Sequence, residues 1–588
     1  MVDLSRRRML RLLGMGLLTP YVLTFHRNSL AANPPSSGIL RSEGRDVFSL
    51  SVMSGDPSAT GVVLWTRLEP AAYRSGEPLR FQVADDAAFT FLVLEGVIAA
   101  TELGAATDYT ARVDLDGKLQ PNRRYHYRFI YAGIASPIGR CRTAPAAGTS
   151  VAKLDFALVS CQDYTNGYYN AFAALAEQDV DFVLHLGDFI YESAADPRFQ
   201  SLSFADRQVI LPSGAKVALN LEDYRQIYRT YRADPNFQRC LEQHTFIVIW
   251  DDHETANDCY WDYARDTLGA PDHPYTVDPR YGNDPALLRQ LKLDAQRAWL
   301  EYVPARVQSK PGATHPHDYL SIYRRLRFGD LVELFLTDER SYRSPHPCGE
   351  GDVLQRYLPL GCTKYDDPSQ TMLGSTQRDW FLNALAGSSA QWKLWANEVA
   401  LAEIGIPRNN HRTPINVDAW DGFMHERRTI ARAALDARVE NLLVASGDFH
   451  SYLVSYVDLN YPGAGTPQPG NTVASEFMTT SITSANGLDS INNALKKQQR
   501  SGQGYVPLGN NLIRANNPHI RFFDSGQHGY SVLRLTPEYC QWSAYVVDKN
   551  APQTQPQARL FRRFKRLAGD LELIDQRLAV AATALAPR

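Results

Sequence analysis

Five apolar runs in the 588-residue chain end in residues able to hold metal ions or move protons. Leu154 to Val159 leads into Ser160-Cys161-Gln162-Asp163, and Phe182 to Leu186 into Gly187-Asp188-Phe189-Ile190-Tyr191-Glu192. Phe246 to Trp250 leads into Asp251-Asp252-His253-Glu254, with Asn257 and Asp258 just beyond. Trp392 to Ala396 leads into Asn397-Glu398, and Asn441 to Ala445 into Ser446-Gly447-Asp448-Phe449-His450. Singly these are weak signals. An Asp after a strand commonly caps a helix, a Cys is commonly a small hydrophobe, and a strand-end Asn commonly satisfies backbone. Tyr191 alone reads as a core aromatic. Five in order, all offering oxygen, sulfur or nitrogen donors at the edge where parallel α/β sheets bind ligands, point to a metal centre.

The elements that must position them follow from periodicity. Residues 168–178 have helical spacing between two buried strands, which makes a parallel β-α-β unit. Residues 45–145 alternate with period two between turn signals, and Tyr125, Tyr127 and Phe129 share one strand face. About seven short strands there predict a β-sandwich, with 143–149 as a linker. The polar stretches 193–240 and 258–320 are expected to be insertions shaping a pocket. The basic residues Arg562, Arg563, Lys565 and Arg566 suggest a helical tail at 551–588.

The chain begins with Arg6-Arg7-Arg8-Met9-Leu10-Arg11, a short apolar stretch broken by Gly14, Gly16 and Pro20, and small residues to Ala32. That pattern predicts a twin-arginine signal peptide at 1–32 and export through the twin-arginine machinery, to the periplasm, cell wall or medium. Lys plus Arg number 61 against 64 Asp plus Glu, a net charge of −3. A basic footprint for sequence-specific nucleic-acid binding is absent, and nothing after the leader is apolar enough for a stable transmembrane segment. Seven cysteines, an odd number, leave one thiol for other work. Cys348 and Cys362 are the readiest disulfide pair. The chain is expected to be a monomer.

The order of the strand-end motifs resembles the metallophosphoesterase superfamily, with Cys161, Asp252, Asn397 and Asp448 as departures from its common ligands. That substituted pattern is similar to the PhoD-like alkaline phosphatases. Ser54-Gly55-Asp56-Pro57, Val62 to Leu68, Tyr231-Arg232-Ala233-Asp234-Pro235, Trp420-Asp421-Gly422 and His528-Gly529-Tyr530 also match that family. The resemblance implies a four-layer metallophosphoesterase-like α/β catalytic domain at 152–550 behind an all-β, fibronectin/Ig-like sandwich at 45–145. It implies Fe(3+) held by Cys161, Asp188, Tyr191 and His450, and Ca(2+) held by Asp188, Asp252, Asn397 and Asp448. Soft thiolate, phenolate and imidazole suit ferric iron, and oxygen ligands suit calcium. Asp251, Glu254 and Asn257 are possible outer ligands, with Glu398 a substitute for Asn397.

The implied reaction is in-line attack of a metal-held hydroxide on a phosphate monoester or diester. His253 contacts phosphate or protonates the leaving oxygen. Arg225, Arg340 and Arg343 are candidate phosphate contacts. The competing readings are a phospholipase D-type phosphodiesterase on the same fold and a non-catalytic extracellular metal-binding protein. Intact donors at all five strand ends weigh against the latter.

Overall fold

The computed structural model describes residues 44–196, 200, 204–351, 353–408, 411–490, 505–552 and 557–576. The expected signal peptide lies outside them. Strands β1 (Val52–Ser58), β2 (Gly61–Arg67), β3 (Leu79–Ala84), β4 (Leu92–Ile98), β5 (Thr110–Asp114), β6 (Arg124–Tyr131), β7 (Ile134–Ala135) and β8 (Gly139–Arg142) come first. Next are β9 (Leu154–Val159), β10 (Phe182–Leu186), β11 (Thr245–Ile249), β12 (Arg324–Phe328), β13 (Val332–Leu336), β14 (Trp392–Ala396), β15 (Leu442–Ser446), β16 (Tyr452–Asp458) and β17 (Thr472–Met478). The last are β18 (Ile520–Asp524), β19 (His528–Leu535), β20 (Tyr539–Val547), β21 (Arg559–Leu567) and β22 (Ile574–Asp575).

A ten-stranded sheet has the order β22-β21-β20-β19-β9-β10-β11-β1-β2-β5, and a seven-stranded sheet the order β12-β13-β14-β15-β17-β16-β18. β9, β10 and β11 are parallel, with Phe182 opposite Phe156 and Leu184 opposite Ile247. β13, β14 and β15 are parallel in the second sheet. These strands are buried at nearly every position, which is why they read as unbroken apolar runs. Between the sheets, Phe156 and Phe182 meet Phe328 at 5.3 and 5.0 Å, and Phe477 stacks on Trp542 at 6.1 Å. Truncating such an aromatic to Ala costs roughly 3–5 kcal/mol. The parallel alignment gathers the five donor-bearing strand ends on one side. There Ile482 N–H donates to Ser160 O at 3.1 Å, and Thr479 Oγ1 to Leu158 O at 3.2 Å, joining the two sheets.

Helices fill the remaining faces. On the first sheet, Phe172 of α1 (Asn170–Ala176) packs 4.5 Å from Phe237 of α3 (Pro235–Gln243). The stretches expected to be insertions also contain α2 (Leu221–Arg232) and α4 (Pro285–Tyr302). Asn220, Asp234 and Asp284 cap α2, α3 and α4 through their side chains, and Pro opens α3 and α4. These helices are part of the core: Ile227, Phe237, Leu241 and Trp299 are buried in it. Their polar outer faces are why the stretches read as polar insertions. On the second sheet, Phe381 of α5 (Gly374–Ala386) meets Trp395 at 4.5 Å, and α6 (Met424–Asp436) buries Ile430.

Two expectations change. The first eight strands do not form a separate body. β3, β4, β6, β7 and β8 make their own sheet, and its Phe81, Tyr127 and Phe129 share a core with Val62, Leu64 and Val113. But β1, β2 and β5 continue the ten-stranded sheet, because β1 pairs in parallel with β11 (Ser54 opposite Thr245). Nor is 551–588 a helical tail: β21 pairs antiparallel with β20, Phe564 opposite Trp542, and 577–588 lie outside the described residues. The strand was concealed by Arg566. That residue occupies an inward position beside Phe564, is 1% exposed, and donates from Nη1 to Leu442 O at 2.8 Å. Cys348 and Cys362 form a disulfide. Cys141, Cys240, Cys259 and Cys540 do not pair; they are buried free thiols serving as small core residues.

Candidate metal centre and active site

Four of the strand-end residues share an uncommon backbone state. Cys161, Asp188, Asp448 and His450 have φ of 56, 56, 61 and 49°. This left-handed region costs a non-glycine residue of order 1–3 kcal/mol and clusters at functional sites. Gly187, at φ 98°, lets β10 approach β11: a Cβ there would lie 2.4 Å from Asp251 Cβ.

Cys161, Asp188 and His450 bring one donor atom each within 4.8 Å of one another. Tyr191 joins them, its hydroxyl donating to Asp188 Oδ2 at 2.8 Å and lying 3.3 Å from His450 Nε2. His450 Nδ1 is 2.7 Å from Ala485 O. Carbonyls only accept, so Nδ1 carries the proton and Nε2 presents its lone pair to the cluster. Ser484 Oγ donates to the Tyr191 hydroxyl at 2.6 Å. Oxygen-rich groupings adjoin this one: Asp188, Asp252 and His253; Asp251, Asp252 and Asp448; and Asp252, Asp258 and Asp418. Asp188 belongs to both the sulfur-imidazole grouping and an oxygen grouping.

The cluster is short of positive charge. Asp188 Oδ1 and Asp251 Oδ2 are buried and accept no hydrogen bond among the described residues. Burial first, then neighbouring carboxylates, push Asp188, Asp251 and Asp448 well above the ordinary aspartate range, against the pull of His253 on the first and Arg340 on the others. Orphaned buried acceptors among repelling carboxylates are what a cation would satisfy. Burial lowers the His253 pKa, but Glu192, Asp252 and Asp188 outweigh it and hold the imidazole well above its usual value.

Arg340 lies inside the cluster, but as a counter-ion: its guanidinium meets Asp251 at 2.5 Å, Asp418 at 2.7 Å and Asp448 at 3.2 Å, and it is fully buried by its side chain. The structure does not bring the other two arginines to a substrate position. Arg343 is buried against Asp418 at 2.6 Å. Arg225 makes a two-pronged pair with Glu301 at 2.7 and 2.6 Å, between α2 and α4. Glu254 is not placed as an outer ligand either. Its carboxylate accepts from the backbone N–H groups of Asp188, Phe189 and Asp251 at 3.0, 2.7 and 2.8 Å, tying two strand ends together. Burial raises its pKa to about 8. Asn257 donates to Asp272 at 2.8 Å. Asn397 accepts from Trp420 Nε1 at 2.7 Å and donates to Val399 O. Glu398 accepts from Glu339 N–H at 2.8 Å.

Sequence reading named Glu192 within a strand-end run without giving it a role, and missed Asp418 and His346. Glu192 holds His253 Nδ1 at 2.7 Å, and His346 Nε2 meets Asp418 at 2.6 Å. Asp418 sits two residues before the quoted Trp420-Asp421-Gly422 string, the one signal that pointed near it.

With the geometry in place, similarity to known proteins becomes informative. The profile of the PhoD-like phosphatases matches residues 156–544, and that of their N-terminal domain matches 33–145. The chain belongs to the PhoD-like phosphatase family. It is 30% identical over 505 residues to alkaline phosphatase D of Bacillus subtilis (strain 168), across 84% of this chain and 76% of that protein. A solved structure titled "Structure of PhoD" superposes with a TM-score of 0.75 at 26% identity, covering 94% of this chain and 95% of that one. This PhoD-like chain is a phosphoric ester hydrolase. No helix among the described residues is long and apolar enough to cross a membrane.

Proposed function

We propose that this PhoD-like phosphatase is exported, depends on iron and calcium, and hydrolyses phosphate monoesters or diesters. The observation that carries the reading is the position of Asp188, with its unsatisfied Oδ1, between two donor sets of different chemistry. Cys161, Asp188, Tyr191 and His450 would hold ferric iron. Asp188, Asp252 and Asp448 would hold calcium together with Asn397, whose amide oxygen keeps a second lone pair beyond its bond to Trp420. Bound there, the two cations would supply an acidified water and neutralise phosphoryl charge.

The chain's own groups do the rest. His253, held at Nδ1 by Glu192, is grouped with Asp188 and Asp252. There it can donate to a phosphoryl oxygen or protonate the leaving oxygen. Arg340 keeps Asp251, Asp418 and Asp448 from repelling one another apart. The helix, sheet, sheet and helix stacking supports the four-layer reading. The first eight strands we read as a fibronectin/Ig-like sandwich sharing one sheet with the catalytic core. Export rests on the arginine-led leader at 1–32.

Side-by-side turnover of p-nitrophenyl phosphate, bis-p-nitrophenyl phosphate and phosphatidylcholine tests the substrate class. The reading expects hydrolysis of one or both nitrophenyl esters. Turnover confined to phosphatidylcholine would replace it with the phospholipase D-type reading.

A further inference from the structure

A cavity of about 440 Å³ lies between the outer edges of the two sheets, lined among others by Arg514, Arg521, Arg562 and Asp575. The volume falls in the range of about 300–1,000 Å³ typical of small-molecule sites. Arg514 comes from α7 (Tyr505–Asn516), Arg521 from β18, and Arg562 and Asp575 from β21 and β22. Of the charged residues lining the cavity, three are arginines and one is acidic, leaving 3 − 1 = +2.

The three guanidiniums differ in how they are held. Arg562 pairs with Asp575, lies over the rings of Phe522 and Phe564 at 5.4 and 5.7 Å, and keeps Nε buried without a partner. Arg521 donates to Gly465 O and lies 6.0 Å from the Tyr456 ring centroid. Arg514 is exposed and has no acidic partner among the described residues. Two guanidiniums set in place by aromatic rings lose little freedom on meeting a ligand, and the third is unengaged.

The cavity is apart from the metal centre. His450 precedes β16, on which Ser455 is opposite Ile520 of the cavity wall. The three strand steps from Tyr452 to Ser455 alone span roughly 10 Å at about 3.4 Å each, and no residue lining the cavity belongs to the metal cluster.

We propose that this cavity is a second, non-catalytic anion site whose ligand carries two or more phosphoryl groups. Arginine forks match phosphate oxygens in pairs, and a cavity of about 440 Å³ lined by three arginines has room for more than one phosphoryl group. The site is independent of the metal assignment and of the catalytic substrate.

Calorimetric titration of the metal-loaded enzyme with methylenediphosphonate, which the enzyme cannot split into phosphate, is the test. Two binding sites are expected in the wild type. The Arg514→Glu/Arg521→Glu variant should keep one, with kcat on p-nitrophenyl phosphate within about twofold of wild type. Arg514→Glu alone, at an exposed position that does not threaten folding, should weaken the second site about tenfold. Orthophosphate should bind that site at least about tenfold more weakly than the diphosphonate. A single site in the wild type, two sites undiminished in the variants, or orthophosphate binding as tightly as diphosphonate would each overturn the proposal.

Discussion

Glu192 Oε2 lies 2.7 Å from His253 Nδ1, and the Glu192 Oε1 atom accepts from the Asn257 backbone N–H at 2.9 Å. The carboxylate therefore fixes both the ring and the loop that carries it. A carboxylate oxygen accepts, so Nδ1 carries a proton, and the ring is grouped with Asp188 and Asp252. Glu192→Gln keeps the shape and weakens the acceptor. Steady-state kinetics should show kcat lowered about 10- to 100-fold with little change in KM, and elemental analysis unchanged metal content. A variant as active as wild type would remove Glu192 from the account.

Cys161 is the sole sulfur donor in the grouping with Asp188 and His450. Cys161→Ala should yield protein lacking iron and the visible phenolate-to-iron absorption, with turnover reduced to background. Spectra and metal analysis of the folded variant decide this, and a coloured, active variant would exclude the thiolate from the iron set.

The Arg225 side chain is buried against Glu301, so Arg225→Met should leave KM for phosphate esters unchanged. Stability should fall by about 3 kcal/mol or more, because among the described residues Glu301 then keeps a buried charge with Arg297 as its remaining ion pair. Denaturant melts beside kinetics separate this outcome from a substrate-binding role, which would raise KM.

Asp155 joins β9 to β19 by accepting from Arg534 Nε and Nη2 at 2.8 and 2.9 Å, with Lys153 Nζ at 2.9 Å. Burial pushes its pKa up, but those cations outweigh it and hold it below the ordinary value. A depressed folded pKa adds stability above the unfolded pKa of about 3.9, and that stability is lost as pH falls through the folded value. Between about pH 4 and 2, stability of wild type should fall more steeply than that of Asp155→Asn, as read by chemical denaturation at each pH. Parallel slopes would contradict the linkage.

The five central strands and their terminal donors were legible because parallel, doubly covered strands are apolar at every position, and because Cys161, Asp188, Asp252, Asp448 and His450 follow them directly. What escaped had two causes. Arg566 and Arg225 are charged residues in buried positions, so patterning by polarity placed them in a tail and at a substrate. Asp418, Glu192 and Glu254 act through partners distant in sequence: Asp418 through Arg340 and His346, Glu192 through His253, Glu254 through Asp188. Spacing along the chain carries no record of such contacts. The union of β1 with β11 was hidden likewise, since 187 positions separate Ser58 at the end of one strand from Thr245 at the start of the other, and only the parallel register of Ser54 with Thr245 reveals it.

The central claim is that Asp188 joins an iron set to a calcium set. Elemental analysis of purified, active protein, before and after removal of calcium with EGTA, tests it most directly. Active protein should contain iron and calcium, with activity lost as calcium leaves and regained when it is returned. Protein free of both metals yet fully active in chelator would contradict it.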